Sequence, residues 1–178
     1  MKILAQKRAE QSNLDFGEIF AQQYVILKGD NYQIEGMTCF TLSGWSFCLG
    51  KQVHHFSVLL PCFSGALVFI GVGVDEEGQL VTQERLIQLS LSLNTRQALC
   101  DYLNASAGRF VFVLFSDGVN HLYGDASASM ATYYTPSAGL IGCSQLLALD
   151  SEVQANKGYP GFADASIPGG SFNFTHTA

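Results

Sequence analysis

Between Gly108 and Leu149 the chain writes out an order that leaves few ways to fold: strand, turn, strand, acidic turn, aromatic strand, turn, strand, helix start. Gly108-Arg109-Phe110-Val111-Phe112 opens the series, Gly124-Asp125 punctuates it, and Tyr133-Tyr134 carries the aromatic strand. Cys143-Ser144-Gln145 then leads into the apolar Leu146, Leu147 and Leu149, where a helix is expected to begin. Strands joined by short turns pair antiparallel with their neighbours.

Upstream, the reading is of helices interleaved with further strands. A helix is expected from Ile3 to Gln11, stopped at Ser12-Asn13, and a rather polar strand from Gln23 to Leu27. Strands are expected at Trp45–Leu49 and Phe56–Leu60, with Gly50-Lys51 as a hairpin turn, and at Ala66–Val74. The apolar run from Val58 to Val74 contains Pro61 and three glycines, so it reads as two buried strands around a Pro-Cys-Phe-Ser-Gly turn and not as a membrane span. Asp75-Glu76-Glu77-Gly78 is a turn by composition. Thr82 is placed to cap a helix over Glu84–Leu93, and Thr95 to cap one over Arg96–Leu103, where Ala98, Leu99, Tyr102 and Leu103 recur at helical spacing. Helices followed by antiparallel strands give an α+β sandwich with helices packed on a sheet.

Length and charge narrow the partners. A chain of 178 residues forms one domain with a sizeable core. Hydrophobic residues at 48% against 13% charged leave apolar surface available for a partner or a second copy. A net charge of −6 and no Lys/Arg cluster argue against nucleic acid, since phosphates would go unneutralised. The start MKILAQKRAEQ has no apolar core of a secretory signal, which argues against export.

The five cysteines, at positions 39, 48, 62, 100 and 143, are irregularly spaced, with no C-x-x-C pair. They read as reduced thiols of a cytoplasmic protein, not as a disulfide frame or zinc site. His54 and His55 are adjacent and would face opposite sides of a strand, and His121 and His176 are isolated, so no metal is expected. Gly71-x-Gly73 lacks the third glycine and following helix of a dinucleotide loop, and no cofactor is expected. Ser144 with His121 and Asp125 lacks the G-x-S-x-G elbow of a hydrolase triad, and a Ser at such a junction is read as a helix cap.

The residues of the Gly108–Leu149 segment resemble the glutaminase domain at the front of asparagine synthetase-like enzymes. That is the class II glutamine amidotransferase domain, a member of the N-terminal-nucleophile hydrolase fold. The Gly-hydrophobic-Phe strand, Asp125, Tyr133 and the small-Ser step at Cys143-Ser144 carry the likeness. The Arg before the Asp, the Gly and Pro of the turn, and the Glu after the Ser are replaced. The resemblance implies a sandwich of antiparallel sheets with flanking helices, and ligand-pocket candidates at Gly71, Asp75, Asp125 and Ser144.

The same resemblance implies degeneracy. The family's nucleophile is a Cys at the mature N-terminus whose own α-amine is the general base. Here the first thiol is Cys39, and using it requires cleavage of Thr38–Cys39 and loss of residues 1–38, read as an N-terminal extension. The segment that holds the ligand's amino-acid end in the family corresponds to Phe69–Asp75, where Ile70 and Val72 offer no hydrogen bonds to a zwitterion. The Arg-Gly-Pro-Asp clamp is absent from positions 40 to 65.

No glutaminase activity is therefore expected. The expectation is a scaffold or docking module for a synthetase-type domain, or for a homo-oligomer, with a self-processing amide hydrolase exposing Cys39 as the alternative. The loop-rich tail, residues 154–178, resembles the approach to an ATP-binding synthetase domain, whose Ser-Gly-Gly-x-Asp-Ser loop is not in this sequence.

Overall fold

The computed structural model describes residues 3–60, 65–90, 92–116, 118–135 and 139–148. The tail at 154–178 and the Pro61–Ser64 turn lie outside them. In chain order the elements are α1 (Leu4–Gln11), α2 (Phe16–Ile19), β1 (Tyr24–Lys28), β2 (Met37–Leu42), β3 (Trp45–Gly50), β4 (His55–Leu60), β5 (Gly65–Val74), α3 (Gln83–Gln88), α4 (Arg96–Ala105), β6 (Ala107–Ser116), β7 (Val119–Gly124), β8 (Tyr133–Tyr134) and β9 (Leu140–Gly142).

The starts of α2, α3 and α4 follow from side-chain caps. Asp15 accepts from the Glu18 N–H, Thr82 from Arg85 and Thr95 from Ala98, each satisfying a donor that the first turn leaves open. The helix expected over 84–93 ends as α3 at Gln88, because a run of turns takes over from Leu89.

Two antiparallel sheets result, one ordered β2-β3-β1-β9-β8 and the other β4-β5-β6-β7. The inner strands β1, β3, β5 and β6 are largely apolar on both faces, and the alternation sorts each face to a different layer. Tyr24, Ile26, Phe47 and Leu49 of the first sheet meet Ala66, Val68, Ile70, Val111, Val113 and Phe115 of the second. The opposite face of the second sheet, with Leu67, Phe69, Phe110, Phe112 and Leu114, packs on Leu86 of α3 and on Leu99 and Leu103 of α4. The opposite face of the first sheet, with Val25, Leu27, Cys48 and Leu140, packs on Ala5 and Ala9 of α1 and on Phe16 and Phe20 around α2. The order of layers is helix, sheet, sheet, helix, an α+β sandwich. Each wholly buried Leu or Phe in these layers contributes about 2 kcal/mol of transfer free energy.

Four expectations need correction. Residues 1–38 are not an extension: α1, α2 and β1 lie there, and β1 is the central strand of its sheet, with Tyr24, Val25 and Ile26 essentially inaccessible. For the same reason β1 is not polar. Gly50-Lys51 is not a hairpin turn, since β3 pairs with β1 and β2 while β4 pairs with β5. The unforeseen β2 takes the place beside β3 through the tight Ser43-Gly44 turn, where both residues have positive φ.

The fourth correction concerns the thiols. Cys39 and Cys48 face each other across β2 and β3 with Cα atoms 4.2 Å apart and are joined as a disulfide. The reduced-thiol premise of a cytoplasmic placement therefore fails for this pair. A nine-residue spacing carries no disulfide signature in sequence, and only the register of the hairpin brings the two sulfurs together. Among the described residues Cys100 and Cys143 are free.

Candidate functional site

Where β1 begins and β9 ends, the rim between the sheets opens into a cleft of about 240 Å³. Gln22 and Gln23 enter from the residues before β1, Arg109 from the start of β6, Ser129 from the loop after β7, and Cys143 and Ser144 from the end of β9. The pairing of Val25 with Gly142 sets Cys143 beside Tyr24, so the Tyr24 N–H donates to the Cys143 Sγ at 3.1 Å. The thiol in turn donates to Gln23 Oε1 at 3.6 Å. Burial pushes the Cys143 thiol up, against the Tyr24 N–H and the nearby Arg109 guanidinium, which favour the thiolate. At neutral pH it is a protonated, weakly nucleophilic sulfur.

Around it several polar side chains bond one another. The Tyr24 hydroxyl, its titration pushed up to about 12 by burial, shares a hydrogen bond of 2.9 Å with Thr132 Oγ1. That bond ties the stretch leading into β8 to the central strand of the same sheet. Asp125 holds the loop below. Its Oδ1 accepts from the Ser127 N–H at 3.0 Å and the Ser127 hydroxyl at 2.6 Å, and its Oδ2 from the Ser129 hydroxyl at 2.7 Å and the Phe110 N–H at 3.4 Å. Burial opposes the charge, yet these donors outweigh it and hold the carboxyl well below the usual carboxylate range.

The ligand-pocket candidates separate accordingly. Ser144 lines the cleft, but its Oγ accepts from the Leu147 N–H at 3.4 Å and caps a turn over residues 145–148, where a helix was expected. Asp125 reaches the cleft only through Ser129. Gly71 stands opposite Phe110, beside Arg109, at φ +113°, where a Cβ would lie 2.2 Å from the Arg109 carbonyl oxygen. Its role is close backbone approach.

Asp75 belongs to another region. Its Oδ1 accepts from the Glu77 and Gln79 N–H groups, and its Oδ2 from Arg85 Nε at 2.9 Å and the Tyr102 hydroxyl at 3.0 Å, locking the turn after β5 to α3 and α4. Burial raises its carboxyl and the hydrogen bonds from Gln79, Arg85 and Tyr102 overcome that, leaving it below the usual range. No pocket is implied by that knot.

The Ser144, His121 and Asp125 combination is not assembled. His121 Nε2 contacts Arg96 Nη1 at 3.1 Å and its ring stacks on Tyr123. Gln23, Arg109 and Cys143 were not anticipated as cleft residues. Tyr24 and Cys143 are 119 positions apart, and no local pattern marks such a contact.

What the arrangement offers chemically is two amides, one guanidinium, two hydroxyls and a neutral thiol, with no amine, imidazole or carboxylate hydrogen-bonded to the sulfur among the described residues. No cluster of three potential metal ligands occurs among the described residues. No described helix is long and apolar enough to cross a membrane. The fold and site together define an α+β sandwich of two antiparallel sheets with a thiol-bearing cleft at one rim. No family model, curated protein or solved structure matches the chain.

Proposed function

We propose that the chain is a catalytically degenerate glutamine amidotransferase-like domain of the N-terminal-nucleophile hydrolase type, acting as a scaffold or interaction module for an asparagine-synthetase-like partner domain. The Gly108–Leu149 resemblance and the helix-sheet-sheet-helix layering support the family reading. The observation that carries degeneracy is the state of the cleft's one thiol. Cys143 lies within the chain, so its α-nitrogen is an amide that donates to the Tyr24 carbonyl at 3.1 Å and is no base. Burial keeps its thiol protonated.

The Cys39 alternative has less support. Its sulfur is joined to Cys48, and cleavage before it would strip α1, α2 and the central strand β1 from the sandwich.

The test is an ammonia-release assay on the full chain with glutamine and with asparagine, alongside intact mass. No release above buffer and no loss of residues 1–38 are expected. Turnover, or a product starting at Cys39, overturns the reading. For the partner, calorimetric titration with a synthetase-type domain is expected to give saturable binding, and its absence removes the docking half of the proposal.

A further inference from the structure

The disulfide belongs to the edge hairpin of the first sheet, and its two cysteines are placed unequally. Cys39 lies in β2, the edge strand, and is partly exposed. Cys48 lies in β3, with a paired strand on each side, and is 0% exposed. A thiol arriving from solvent therefore meets Cys39 first, because exchange follows access to the sulfur.

The stretch 29–36, between β1 and β2, supplies partners for both groups that reduction creates. The Ile34 N–H donates to Cys39 Sγ at 3.4 Å, so a donor is in place for the charge that gathers on that sulfur as it leaves. Cys48 Sγ stands 3.9 Å from the Tyr32 carbonyl oxygen, which accepts the S–H that Cys48 gains. A dithiol form whose new groups already have partners is stabilised, and that raises the couple above inert structural disulfides in ease of reduction.

The hairpin has other supports. β2 and β3 pair from Met37 with Gly50 to Leu42 with Trp45, the rings of Phe40 and Phe47 stack at 5.2 Å, and β1 holds β3 from its other side. The link joins residues only nine positions apart, so its loss frees the unfolded chain less than a long-loop link would. The same register keeps the two thiols opposed after reduction, which makes closure an intramolecular step.

We propose that Cys39 and Cys48 form a reversible dithiol–disulfide couple that exchanges with low-molecular-weight thiols, Cys39 being the sulfur attacked and Cys48 the resolving one. In the reducing direction an external thiolate attacks Cys39 Sγ, the bond to Cys48 breaks, and Cys48 leaves with the electron pair and takes up a proton. A second external thiolate attacks the outer sulfur of the mixed disulfide, and Cys39 leaves and is protonated in turn. The two external thiols depart joined as a disulfide, having supplied two electrons and two protons. The couple is separate from the thiol cleft and does not rest on the amidotransferase-like reading.

The full chain is equilibrated without denaturant in buffers of graded reduced-to-oxidised glutathione ratio, quenched by alkylation and mapped by peptide mass, while ¹⁵N amide spectra follow the fold. Half reduction within the series, recovery on re-oxidation, and shifts centred on Tyr32, Ile34, Cys39 and Cys48 in an otherwise native spectrum are expected. Cys48→Ser should take up glutathione at Cys39 at least about tenfold faster than Cys39→Ser takes it up at Cys48, because the second thiol is inaccessible. A pair that stays oxidised throughout the series, reduction only with loss of the native spectrum, or equal or reversed uptake by the two variants overturns the proposal. Should either variant fail to fold, the titration of the parent chain decides alone.

Discussion

The two ends of the sandwich are built on opposite terms. At the Cys143 end the thiol bonds Tyr24 and Gln23, the Tyr24 hydroxyl bonds Thr132, and the Asp125 carboxylate bonds two serines and a strand amide. At the Ser116 end, the far end of β6 from Arg109, a buried hydroxyl has no partner, and near the same rim Leu59 is largely exposed. One end stabilises itself and the other carries an unmet demand. A cleft that looks reactive because it holds a thiol can thus be structural, while the unfilled bond lies at the plainer end.

Both ends hang from the β5–β6 ladder, and the largest expected effect is at its tightest point. Gly71→Ala should destabilise by about 3 kcal/mol in denaturant unfolding, since the added methyl meets a carbonyl oxygen at a positive φ. A harmless substitution there would mean the ladder does not hold the two ends in register.

Asp125→Ala should follow, at about 2 kcal/mol, by stranding the Phe110 and Ser129 amides. Its pH dependence has a definite sign. A carboxyl held below its unfolded value of about 3.9 contributes stability that is complete above that pH and is withdrawn as acid approaches the folded value. Acid unfolding of Asp125→Asn should therefore be less steep below about pH 4 than that of the parent. Identical acid profiles would show that the loop is held by something other than that charge.

Tyr24→Phe should cost about 1 kcal/mol by removing the bond to Thr132, and thermal melts will detect it. The smallest effect has the opposite sign. Ser116→Ala should raise stability by about 0.5 kcal/mol, because the group deleted has no partner to lose. A drop in melting temperature instead would mean that this end, too, satisfies itself, and the contrast between the ends would vanish.

Local features were legible in the chain wherever they depend on near neighbours. The Thr82 and Thr95 caps, the Asp75–Gly78 turn and the long apolar runs of β5 and β6 are present where residue type and spacing placed them. The partner of β3 was not legible, because β2 is a half-exposed edge strand with only modest patterning. The Cys39–Cys48 link was hidden for the same reason, being a consequence of that pairing. In the cleft, Ser144 was visible as a cap, whereas Gln23 and Arg109 carry no signal until β1 and β6 are brought to one rim.

Sequence alone settled the long apolar strands β5 and β6 and the starts of α3 and α4, because those properties follow from residues two to four positions apart. Tertiary structure alone decided which sheet each strand joins, which thiols meet and which end is left with an unanswered hydroxyl. Those outcomes depend on strand pairing, which reaches 119 positions between Tyr24 and Cys143, where burial of the whole core, and not any local preference, chooses among pairings of similar local energy.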